Sequence, residues 1–169
     1  MNEKDFLLVK AKMETEMENI NNIEQELKDY GVFPELKTDN IRGFSLDDKG
    51  SLRILGSALH DYYNAVENIF KTIAQKIDSS LPEGSNWHKE LLDQMVLEVY
   101  GIRPRVTRAR TKDLLEELLA FRHVFRNVYG YNLTREKIED LIRKLPDLSS
   151  NLKKDLENFE KKMMDLLEL

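Results

Sequence analysis

Residues 47–78, DDKGSLRILGSALHDYYNAVENIFKTIAQKID, carry apolar side chains at Leu52, Leu55, Leu59, Tyr62/Tyr63, Val66, Ile69/Phe70, Ile73 and Ile77. Steps of three and four residues put these groups on one face of an α-helix, and nothing in the stretch asks for a strand. Asp47-Asp48 offers an N-terminal cap, with carboxylates at the positive end of the helix. Gly56 and Ala58 leave room for a neighbouring helix to approach closely. His60, Asp61, Tyr63, Asn64 and Glu67 are polar groups on or beside the apolar stripe.

Outward from this segment the same periodicity recurs. Phe6, Val9, Met13, Met17, Ile20, Ile23, Leu27 and Tyr30 predict a helix over about residues 4–30. Gly31 stops it and Pro34 prevents its resumption. Its stripe also suits a coiled-coil seam, beside packing on its own bundle. After the turn-rich Ser79–Asn86, Asn86 is placed to cap a shorter helix that begins at Trp87 and carries Leu91, Leu92, Met95 and Val96. Trp87, the only tryptophan, reads as a core anchor. Thr111 is placed to cap a fourth helix through Leu114, Leu115, Leu118, Phe121, Phe125 and Val128, ended by Gly130. Thr134 opens a fifth, stopped by Pro146, and Ser149 or Ser150 opens a sixth through Leu152, Leu156, Phe159, Met163 and Leu166/Leu167. The expected fold class is all-α, an antiparallel helical bundle with a long N-terminal helix and a C-terminal helix. One domain over residues 1–169 is expected: 1–46 as N-terminal helix and connection, 47–135 as core, 136–169 as C-terminal helices.

With 169 residues, 41% hydrophobic and 34% charged, the chain is long enough for a core and is not of disordered composition. Zero cysteines exclude disulfides, thiolate catalysis and cysteine-ligated metal. No apolar run approaches the roughly 20 residues that span a bilayer, and Met1-Asn2-Glu3-Lys4-Asp5 lacks the pattern of a signal peptide. A cytoplasmic protein without membrane attachment is expected. The net charge of −5 argues against indiscriminate nucleic-acid binding. Charge is unevenly spread, however: between Gly101 and Arg126 seven lysines and arginines face three acidic residues. Arg103, Arg105, Arg108, Arg110 and Arg126 are therefore candidates for phosphate binding, since guanidinium forks suit phosphate oxygens. A solvated loop satisfying acidic neighbours reads equally well.

Within this region Phe121-Arg122-His123-Val124-Phe125-Arg126-Asn127-Val128-Tyr129-Gly130 concentrates polar chemistry on an apolar helix. At about 100° per residue Arg122, Arg126 and Tyr129 share one face. His123 and Asn127 share an adjoining one. Two arginines one turn apart call for an anion between them, either a phosphodiester or a carboxylate such as Asp61 or Glu67. His60, His88 and His123 are scattered, with no metal-ligand spacing, Gly-rich phosphate loop or nucleophile elbow beside them. Any catalysis is then expected to need no metal or organic cofactor.

Arg122-x4-Asn127-x-Tyr129 resembles the Arg-x4-His-x-Tyr signature of HepT-like proteins, within the HEPN superfamily of α-helical ribonucleases. His123, directly after the arginine, is similar to the polar residue found there. The resemblance extends to Leu59-His60-Asp61-Tyr62-Tyr63-Asn64 with Glu67, to Leu81-Pro82-Glu83-Gly84, and to Asn86-Trp87-His88-Lys89-Glu90-Leu91-Leu92. It implies a homodimeric bundle whose two arginine motifs face one cleft and cleave RNA without metal. By the same resemblance Arg122 holds the phosphate and the motif histidine assists proton transfer at the 2′-hydroxyl. The implied partner is an MNT-type nucleotidyltransferase antitoxin, which would adenylylate Tyr129.

At the histidine position this chain has Asn127, whose neutral amide hydrogen-bonds but does not act as a base near pH 7. His123, one turn earlier, is the candidate to replace it. The expected catalytic set is Arg122, His123, Asn127 and Tyr129. The alternatives are a degenerate member that binds RNA or a nucleotidyltransferase without cutting, and a structural helical adaptor.

Overall fold

The computed structural model describes residues 3–36, 45–127 and 133–169, apart from the side chain of Asn127. The described residues form α1 (Glu3–Asp29), α2 (Lys49–Lys76), α3 (Trp87–Met95), α4 (Ala109–Asn127) and α5 (Arg135–Leu167). Val99 and Arg103 make an isolated bridge, and no strand is formed among these residues. The fold is an all-α bundle.

α2 sits at its centre, packed on each of the other four helices. Its expected stripe is the one that is buried, from Leu52 through Leu55, Leu59, Tyr62, Tyr63, Val66, Phe70 and Ile73. Burial of one such side chain contributes about 1.5–3 kcal/mol. Asp48 caps α2, accepting from the Ser51 backbone N at 2.8 Å and from Ser51 Oγ at 3.1 Å. Side-chain pairs fix the helix directions. Along α1, Lys10 meets Glu160 and Glu24 meets Lys153 and Ser149, so α1 and α5 run antiparallel. Thr111 meets Asp155 and Glu117 meets Lys144, so α4 and α5 do too. Gly56 faces Phe125 and Asn64 faces Arg122, which sets α2 against α4 in the same sense.

Three local expectations are corrected. The stretch after Thr134 is one helix, with Pro146 inside it. An interior proline costs about 3 kcal/mol. Yet Ile138, Leu141, Ile142 and Leu145 before it stay in phase with Leu148, Leu152, Leu156, Phe159 and Met163 after it, and all are buried. Continuing the helix through the proline retains both sets, a larger gain than the proline's penalty. Thr111 does not cap α4, which begins at Ala109. It is buried within the helix, donating from Oγ1 to Asp155 Oδ2 at 2.5 Å, while the same oxygen accepts from the Arg108 backbone N at 3.0 Å. The α4 N-terminus is thus capped by a carboxylate from α5, where negative charge is favoured. Asn86 precedes α3 but its side chain makes no capping bond.

The small residue at Gly56 has the purpose its sequence position suggests. A Cβ built there would lie 2.8 Å from Phe125 Cε2. Gly56→Ala is expected to push Phe125 off α2 and cost about 1–3 kcal/mol by overpacking, read as a lowered urea midpoint. Among the described residues no helix is long and apolar enough to cross a membrane.

Candidate functional site

On α4 the buried residues Leu115, Leu118, Leu119 and Arg122 follow one another at helical steps. Arg122 therefore continues an apolar stripe, and its side chain is 8% exposed. A charge at such a position needs partners. α2 and α3 provide them. Arg122 Nε donates to Asn64 Oδ1 at 3.0 Å, one Nη lies 3.2 Å from His88 Nε2, and the other lies 3.8 Å from Glu67 Oε1. The guanidinium also sits 5.8 Å from the centre of the Tyr63 ring. Of the two carboxylates considered for it, Glu67 is beside Arg122, whereas Asp61 is exposed and pairs with His60 at 3.2 Å. This internal pairing is the arrangement expected of a structural arginine, and Arg122 has that role whatever else it does.

Glu67, 2% exposed, is the hub of the cluster. Its Oε1 meets Lys71 Nζ at 2.9 Å and its Oε2 meets His88 Nδ1 at 2.5 Å. Lys71 in turn lies 4.9 Å above the Trp87 ring, and the Trp87 and His88 rings are 3.6 Å apart. Trp87 is half-buried and packs against the core, as its sequence position suggested. A guanidinium only donates. His88 Nε2 must therefore accept from Arg122, which leaves the proton on Nδ1, donated to Glu67. Burial lowers the His88 pKa from its ordinary value of 6.5, with the charges of Arg122 and His123 acting the same way and Glu67 opposing them. Burial likewise pushes the Tyr63 phenol far above its usual range.

The sign of the His88 shift gives a test. Below the ordinary histidine value the unfolded chain takes up a proton that folded His88 resists, so stability falls as pH falls. Urea midpoints are expected to decline on acidification from that value, less so in His88→Asn than in the wild type.

Beyond His88 a cavity of 320 Å3 opens, lined among others by Asn86, His88, Lys89, Glu116, Ala120 and His123. The His88 and His123 rings meet edge to face at 5.6 Å. The cluster thus places two imidazoles on the wall of this cavity, one of them bound to a buried carboxylate and to the buried guanidinium of Arg122 behind it. Such a set can hold an oxyanion and move protons. Among the described residues, no three histidine, aspartate or glutamate side chains come together as a metal-holding group.

The structure separates the candidate residues. Arg122 and His123 lie in this region, the first buried and the second exposed. Arg126 is exposed one turn on. Asn127 is the last residue of α4, and Tyr129 lies outside the described residues. The basic run from Arg103 does not form a strip beside them. Arg103 is 1% exposed and spends its N–H groups on Asp78, Leu97 O, Pro104 O and Gln94 O, which removes it as a phosphate ligand. Arg108 pairs with Asp155 at 2.5 Å and Arg110 with Asp147, both on α5. Arg105 is exposed and lines a separate cavity with Lys154 and Asn158.

The sequence presents His88 as one of three scattered histidines and as part of the Asn86–Leu92 segment of the resemblance, without a role. Asn64 and Glu67 carry the legible signal, polar groups spaced along a helix whose neighbouring positions are buried; Lys71 enters only through the structure. Residues 54–163 match the model of a family described as HepT-like protein, more than half of the chain. No curated protein and no solved structure matches it.

Proposed function

The chain belongs to the HepT-like family of the HEPN superfamily, and from that premise we propose that it is the RNA-directed, toxin-side member of a two-protein module. In this reading it is a cytoplasmic homodimer whose two Arg122 motifs face one cleft and cleave RNA without metal. An MNT-type nucleotidyltransferase is its antitoxin partner, and Tyr129 is the group that partner adenylylates. The observation that carries the reading is the Arg122 guanidinium held between Asn64 and His88, with His88 in turn lining a cavity beside Lys89 and His123. Arg126 and the exposed Arg105 add positive charge for the RNA backbone. Arg108 and Arg110 contribute only as far as their pairing with α5 leaves them charge to offer.

The test is incubation of the purified chain with single-stranded RNA in EDTA, wild type beside Arg122→Ala. Cleavage by the wild type that is lost in the variant is the expected result. A second reading, a member that binds RNA or the nucleotidyltransferase without cutting, is favoured by Asn127 and by the internal pairing of Arg122. RNA that is retained by the wild type but left intact would move the chain to that reading. RNA that is neither bound nor cut would leave the structural adaptor.

A further inference from the structure

We propose that His88 on α3 is the general base of this site, taking the catalytic place that Asn127 vacates, with Glu67 as its positioning residue. The proposal rests on the reading of the chain as an RNA-cleaving protein. Its geometric basis is the Glu67–His88–Arg122 chain: carboxylate to Nδ1 at 2.5 Å, Nε2 to guanidinium at 3.2 Å. A carboxylate on one ring nitrogen fixes the tautomer, raises the basicity of the other nitrogen and stabilises the imidazolium formed when it accepts a proton. Nε2 is the nitrogen on the Arg122 side, and His88 lines the cavity. The groups facing it are Glu67 on α2 and Arg122 and His123 on α4. Burial keeps the ring neutral at neutral pH, the form a base requires.

The step balances with residues already in place. A phosphodiester entering the cavity draws the Arg122 Nη from His88 Nε2 onto a non-bridging oxygen. The 2′-hydroxyl then gives its proton to His88 Nε2, and the 2′-oxygen bonds to phosphorus as the bond from phosphorus to the 5′-oxygen breaks. The leaving 5′-oxygen takes a proton from His123 acting as the general acid, whose ring is 5.6 Å from that of His88. The products are a 2′,3′-cyclic phosphate and a 5′-hydroxyl. Arg122 thus holds the base occupied until substrate arrives.

The experiment compares wild type with His88→Asn on a 5′-labelled RNA oligonucleotide in EDTA, and on the same oligonucleotide with 2′-O-methyl groups for binding. Asparagine keeps an amide donor near the Nδ1 position, toward Glu67, and leaves nothing at Nε2. Expected are a fall in cleavage of about 10²–10⁴-fold, unchanged binding of the methylated RNA and a cooperative melting transition retained at neutral pH. The wild-type rate should rise with pH through a midpoint below 6.5, the ordinary histidine value, a readout that needs no variant. An active His88→Asn protein, or a wild-type midpoint at or above that value, overturns the assignment. A wild type that leaves RNA intact overturns the underlying reading and the assignment with it, and the two failures are told apart by which protein is inactive.

Discussion

Asp78→Ala is expected to lower the stability of the chain by about 3–5 kcal/mol, the cost of removing one partner from a buried ion pair. The Arg103 side chain is 0% exposed and that of Asp78 is 8% exposed. Nε reaches Asp78 Oδ1 at 2.6 Å and one Nη reaches Oδ2 at 2.8 Å, a bidentate fork. The remaining N–H groups donate to the carbonyls of Leu97 and Pro104 at 2.8 and 3.1 Å and of Gln94 at 3.0 Å. Without the carboxylate the guanidinium keeps those carbonyls but carries an unbalanced charge in a site water does not reach. Gln94 Nε2 also loses its 2.7 Å bond to Asp78. The contrast is Arg110–Asp147, whose side chains are 71% and 44% exposed. An ion pair so open to solvent contributes about 0–1 kcal/mol, so Arg110→Ala should barely move the urea midpoint. Equal midpoint shifts for the two variants would contradict this account.

Arg103 also marks where sequence reading ends. In the chain it is one arginine of a basic run, indistinguishable from Arg105 or Arg108. Its partner is 25 residues away, across α3, and no helical spacing connects them. The same holds for Asp155, which caps α4 from 47 residues on, and for Glu24, buried on α1 against Ser149 and Lys153. What was legible is what local physics decides: the apolar phase of each helix, the Asp48 cap, the stop at Gly31 and the close approach at Gly56. Pro146 shows local physics overruled, because the stripe on either side of it shares one core. The site divides along the same line. Arg122 was legible as a charge that calls for an anion, with Glu67 among the carboxylates named for it; its burial was not. His88 was not, because its meaning comes from Glu67, 21 residues earlier, and from Arg122, 34 residues later.

Arg122→Ala should invert the balance found for Asp78→Ala, with a larger effect on RNA cleavage than on folding. Glu67 touches Arg122 only at 3.8 Å and retains Lys71 at 2.9 Å and His88 at 2.5 Å when the arginine is gone. No buried carboxylate is stranded. The folding cost is the loss of the hydrogen bonds to Asn64 and to His88 Nε2 and of the packing against Tyr63, about 1–3 kcal/mol for a partly buried acceptor left unpaired. In the proposed reaction the same guanidinium neutralises charge developing on the phosphate, and removing one such donor costs about 10²–10³ in rate. His88 responds as well. Arg122 lowers its pKa, so the midpoint rises in the variant and the acidic limb of the rate profile moves to higher pH. Arg122→Lys separates charge from shape: a single ammonium does not serve Asn64 and His88 together as the planar fork does. It should recover the lowered His88 midpoint more fully than the rate. Melting curves, an NMR titration of His88 and cleavage assays on the three proteins measure these effects separately. A variant that melts far below wild type yet cleaves RNA at the wild-type rate when folded would confine Arg122 to the fold.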